Sequence, residues 1–60
     1  MVIYNAYDKE AVASFPTREE AIKWMTDRAA EWNYGIYRTW TIDGLEYYDV
    51  GPRVYCILAQ

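Results

Sequence analysis

Cys56 is the one cysteine of the chain, and there is no histidine to act as its base. It stands between Tyr55 and Ile57 in an apolar run, whereas a reactive thiol needs an electropositive, partly exposed site. A small buried hydrophobe is the expected role. Asp43, Glu46 and Asp49 lie close in sequence and raise the question of a divalent-cation loop. Asp43 is explained by a turn, and Glu46 and Asp49 fall on opposite faces of the strand they share. Nothing brings two carboxylates together across a pocket for acid and base work, and a domain this short has little room for a cleft of roughly several hundred Å³. No catalytic residue, metal or cofactor is expected, and the chain is not expected to be an enzyme.

Aromatic residues say more. The chain holds seven Tyr, three Trp and one Phe. Tyr is enriched at binding surfaces because it offers large contact area at low entropic cost, with a polar tip that tolerates water. Tyr37, Tyr48 and Tyr55 are candidate partner-binding residues, assigned to a sheet face that no helix covers. Trp24 and Arg28 form a second candidate pair one helical turn apart, of the two residue types most often found where truncation costs most binding energy. Each has a plainer reading: cross-strand tyrosines are good sheet formers, and Trp24 can close the edge of a core with Arg28 lying over it.

These residues require elements to position them, and the clearest is Thr17 to Trp32. Thr17 and Glu20 read as a capping box. Ala21, Ile22, Met25, Ala29 and Trp32 then fall within roughly 100° of arc, the width of a core-facing stripe. Glu20, Lys23, Asp27 and Glu31 lie opposite, with Trp24 about a quarter-turn from the centre of the stripe. Glu19 and Lys23 are spaced as an i,i+4 ion pair. Asn33 or Gly35 is suited to the left-handed conformation that ends helices.

The rest reads as strands. Val2 to Tyr7 and Ala11 to Phe15 make a hairpin around Asp8, Lys9 and Glu10, and Pro16 stops it. Ile36 to Ile42 leads into Asp43-Gly44, the strongest hairpin signal in the chain. A two-residue turn there pairs Ile42 with Leu45, Trp40 with Tyr47 and Arg38 with Asp49 on one face. Thr41 with Glu46, Thr39 with Tyr48 and Tyr37 with Val50 take the other. The first set is more apolar and is assigned to the core beneath the helix, with Arg38 and Asp49 as an ion pair at its end. Gly51-Pro52 turns the chain into a last strand, Arg53 to Leu58. The expected architecture is α+β: one amphipathic helix packed on an antiparallel sheet in the order ββαβββ, a hairpin, a helix and a three-stranded meander.

Sixty residues make one domain, spanning 1-60. A chain of this length buries only about 60% of its unfolded surface, so large aromatics or self-association must compensate. The net charge of −3 is spread evenly, one excess acid in each of residues 1 to 16, 17 to 33 and 34 to 60. That balance argues against a phosphate backbone as ligand, since only Arg38, Arg53 and Lys9 belong to the strands and turns. Nucleic acid is therefore the second expectation, through sheet-face tyrosines. Neither a signal peptide nor a membrane span is read, and a cytoplasmic setting is expected. In size alone the chain resembles stand-alone accessory proteins of phages and mobile elements. The leading expectation is a non-catalytic protein-binding module that inhibits or modulates a host protein and can form a homodimer.

Overall fold

Thr17 is extended, with φ −130° and ψ 159°, and its hydroxyl oxygen accepts the Glu20 N–H at 3.2 Å. Helix α1 (Arg18–Glu31) starts where the cap dictates. It ends with equal definition: Asn33 takes φ 63°, its N–H reaches the Ala30 carbonyl at 3.0 Å, and the Tyr34 N–H reaches that of Ala29 at 2.9 Å. This paired closure satisfies carbonyls that the last turn leaves open. Lys23 bonds forward to Asp27 at 2.9 Å instead of back to Glu19 as its spacing suggested. The link is exposed and screened by solvent, so it adds little to the helix.

The computed structural model describes residues 1–59. Around the helix lie β1 (Val2–Asn5), β2 (Ala11–Ser14), β3 (Arg38–Ile42), β4 (Leu45–Asp49) and β5 (Val54–Leu58). Every pairing is antiparallel, in one sheet ordered β2-β1-β5-β4-β3. The chain is thus the expected ββαβββ α+β fold. Strand β5 joins the first hairpin to the meander by pairing with both β1 and β4.

Local chemistry sets the strand ends. Strand β1 stops at Asn5 because Ala6 to Lys9 form a hydrogen-bonded turn: the Lys9 N–H reaches the Asn5 carbonyl at 2.8 Å, and the Asn5 side-chain oxygen accepts the Tyr7 N–H at 2.8 Å. Lys9 completes it in the left-handed region at φ 61°. Asp43 and Gly44, at φ 51° and 78°, form the two-residue turn whose twist matches that of its strands. The register from Arg38↔Asp49 to Ile42↔Leu45 follows directly.

The assignment of faces is the reverse of expectation. The core beneath the helix is Ile3, Tyr48, Val50, Tyr55 and Ile57, packed on Ala21, Met25 and Ala29. Trp40 and Tyr47 lie on the opposite face. Volume explains the choice: two alanines on the helix stripe leave space beside Met25, and the long rings of Tyr48 and Tyr55 fill it. The Tyr48 hydroxyl stays bonded, donating to a Glu46 carboxylate oxygen and accepting from Arg18 at 3.2 Å. Arg18 also pairs with Glu46 at 2.5 Å, tying the first turn of α1 to β4. Burial of Tyr48 therefore leaves its hydroxyl satisfied.

Candidate functional site

Strand alternation carries one residue of every neighbouring pair to the face that the helix leaves uncovered. Tyr4 and Tyr47 stand opposite Cys56 on either side of β5, and Trp40 stands opposite Tyr47. Leu45 and Leu58 form a further cross-strand pair, and Leu58 and Ile42 remain 54% and 53% exposed. In an antiparallel sheet with one covered face, the other is usually polar. Here it is mostly aliphatic and aromatic, with Arg38 and Asp49 at one end.

The turn after β1 folds over this face. The Lys9 ammonium lies 5.5 Å from the centroid of the Tyr47 ring and donates to the Ala6 carbonyl at 2.7 Å. Two shallow depressions result. One, of about 250 Å³, is bounded by Tyr4, Lys9, Leu45, Cys56 and Leu58. The other, of about 300 Å³, is bounded by Ala6, Tyr7, Trp40, Tyr47 and Val54. Tyr7 stands almost free at the turn, 97% exposed. The Trp40 and Tyr47 rings stack 5.5 Å apart, and the Arg38 guanidinium covers Trp40 at 5.2 Å. Arg38 and Asp49 keep their register but do not form the expected ion pair; Asp49 instead accepts the Gly51 N–H at 3.1 Å. Its carboxylate is held by its own turn.

The sequence candidates separate. Tyr48 and Tyr55, 5% and 3% exposed, belong to the core on the helix side and not to the open face. Tyr37 is exposed but precedes β3, and its ring meets Tyr34 edge-on at 6.1 Å. Trp24 is half-buried between Phe15 and Tyr55, with centroids at 6.2 and 5.5 Å. Arg28 lies over Trp24 at 5.3 Å, as its spacing implied, and also over Trp32 at 5.4 Å. That pair closes the flank of the core.

Cys56 is fully buried at the centre of the open face, beneath its tyrosine neighbours. Burial pushes its thiol above the ordinary value, only partly opposed by the Lys9 charge. Such a thiol is a poor nucleophile. Among the described residues, no group of three His, Cys, Asp or Glu side chains is placed to hold a metal ion, and no helix is long and apolar enough to cross a membrane.

Tyr4, Tyr7, Trp40, Tyr47, Leu45 and Leu58 are contact candidates that only the structure brings forward. The signal that could have found them was the parity of the last strand. Tyr55 and Ile57 point one way and Cys56 and Leu58 the other, and only the first pair has the reach to fill an alanine-lined helix stripe. Comparison of the chain with protein-family models, curated proteins and solved structures gave no match in any of the three.

Proposed function

We propose that the chain is a non-catalytic protein-binding module, a small accessory protein that modulates a larger one by covering part of its surface, and that the helix-free face is its contact surface. One observation carries this reading. An apolar face, with Ile42 and Leu58 exposed and Trp40 and Tyr47 half-exposed, lies behind a sheet whose helix side already supplies a filled core. Contiguous apolar surface of this kind marks interaction sites in soluble domains. A cluster of Trp and Tyr flanked by Arg is the composition that concentrates binding energy. The Cα trace spans 29 × 22 × 18 Å, so its broad side approaches one standard patch of roughly 800 Å² once side chains are included.

Affinity capture with immobilised protein tests the proposal. Tyr47→Lys and Leu58→Lys should each lose a partner that the wild type and an exposed-helix control, Glu31→Lys, retain. Equal capture by all four proteins would reject this face as the contact.

A second reading is supported by the same face. Lys9 over Tyr47 and Arg38 over Trp40 place cations beside stacking rings, the pairing that single-stranded nucleic-acid platforms use. Exposed Ile42 and Leu58 and the net charge of −3 favour a protein instead. Retention of labelled single-stranded oligonucleotides at low salt, lost steeply as salt rises, would reverse that preference.

A further inference from the structure

The two edges of the sheet are protected unequally. Strand β2 pairs irregularly, with a register shift between Ile3 and Tyr4, and Pro16 follows it closely. Bulges and prolines of this kind discourage pairing with another chain. Strand β3 has no proline, and its one irregularity lies at its start, where the Tyr37 N–H joins Arg38 opposite Asp49 by reaching the Asp49 carbonyl at 2.9 Å. It keeps an unbroken register with β4 over Arg38–Ile42, and Arg38 is its only charged residue.

The direction of its free backbone groups follows from the bonding pattern. The Ala59 N–H reaches the Gly44 carbonyl at 2.8 Å, so Gly44, Glu46 and Tyr48 bond toward β5. Leu45, Tyr47 and Asp49 therefore bond toward β3, and their partners Ile42, Trp40 and Arg38 are directed inward. Thr39 and Thr41 are left with their N–H and C=O groups directed away from the sheet.

We infer that β3 is a self-complementary edge that pairs with β3 of a second copy of this chain. An antiparallel register centred on Trp40 sets Thr39 of each copy against the second copy's Thr41. Every outward N–H and carbonyl of the two threonines is then answered. Other registers that align outward-directed groups run one of the partners into the Asp43-Gly44 turn or back beyond Arg38. Threonine opposite threonine is a favourable cross-strand pair. Arg38 falls opposite the second copy's Ile42 and beside its Asp43, so opposite charges meet at both ends and like charges nowhere. The two-fold axis stands perpendicular to the sheet, which keeps both helices on one side and merges the two helix-free faces into one surface. Pairing of one short edge buries less than a standard patch of about 800 Å² per partner, so the association is concentration-dependent.

Edge pairing and the contact face involve different groups, backbone on β3 and side chains on the open face, and are tested separately. Sedimentation equilibrium over a concentration series should show the wild type passing from monomer to dimer. Thr41→Pro removes an outward N–H without touching the bonds to β4, so it should remain monomeric with an unchanged circular dichroism spectrum. If that variant fails to fold, the double variant Thr39→Lys/Thr41→Lys, which sets like charges opposite each other only in the dimer, should be monomeric as well. Amide exchange at Thr39 and Thr41 should slow as wild-type concentration rises. A wild type that stays monomeric throughout overturns the inference. So does a dimer that survives a folded edge variant but is lost in Tyr47→Lys, a result that would place self-association on the open face.

Discussion

The rings of Trp40 and Tyr47 lie parallel, 4° from coplanar in orientation with centroids 5.5 Å apart, on the face of the sheet that carries no helix. They come from adjacent strands in register, and each supports a cation, Arg38 on one and Lys9 on the other. Removing one ring exposes the other. Tyr47→Ala is expected to cost about 1–2 kcal/mol of stability, because the stack and part of the cover over Cys56 are lost. Urea titration followed by tryptophan fluorescence measures it, and labelling of Cys56 by a thiol reagent should accelerate in the folded variant.

Gly51 is required by its surroundings as well as by its backbone. It takes φ 94°, and a Cβ there would lie 2.6 Å from Tyr34 Cγ. Gly51→Ala should therefore destabilise by about 2–4 kcal/mol, combining left-handed strain with the clash. Adding Tyr34→Ala should recover the clash component alone. A thermal melt of the single and double variants separates the two contributions, and additive losses would contradict this account.

The link between Arg18, Glu46 and Tyr48 predicts loss of stability at both ends of the pH scale. Burial by itself would raise the pKa of Glu46, but hydrogen bonds from Tyr48 and Arg18 outweigh it and hold the carboxyl below its ordinary value. A depressed folded value contributes stability above the unfolded value, lost as pH falls through the folded one. Glu46→Gln should be less stable than wild type by about 1 kcal/mol at neutral pH, and the two should converge in acid. Tyr48 is pushed up from 10.0 to about 12, first by burial and then by its bond to Glu46. Its contribution is complete below pH 10 and lost as pH rises through about 12. Absorbance at alkaline pH should show one tyrosine ionising late and together with unfolding, a phase that Tyr48→Phe removes.

Arg28 is clamped between two indole rings, Trp24 and Trp32. Arg28→Ala should cost about 1 kcal/mol, the sum of two partly exposed cation–ring contacts. Trp24→Ala should cost about 3 kcal/mol, because its ring is wedged between Phe15 and Tyr55. Denaturant midpoints of the two variants test the order. A larger loss at Arg28 would show that the cation, not the ring, closes that flank.

The elements were legible in the chain because each carries its own punctuation. Thr17 starts the helix, Asn33 ends it, and Asp43-Gly44 sets a register that holds through Arg38 and Asp49. What hydropathy did not disclose was which face the helix covers. Both faces of the meander carry apolar side chains, so a hydropathy count has little contrast to work with. The deciding quantity is the fit between alanines at 21 and 29 and the rings of Tyr48 and Tyr55, of which the parity of β5 is the one trace in the sequence. The candidate site moved with that face, from Tyr48 and Tyr55 to Trp40 and Tyr47. The link from Arg18 to Glu46 joins residues far apart in the chain and has no local signature.

The central position of β5 has a consequence for how the molecule is made. Strands β1 and β4 both pair with β5, and among the described residues nothing else in the strand order bridges the first hairpin to the second. While a ribosome still holds residues 54–58, the emerging chain has two separate hairpins and a helix with no common floor. Such fragments are marginal in water by themselves. Closure of the sheet therefore requires β5, and is governed by contacts distant in sequence.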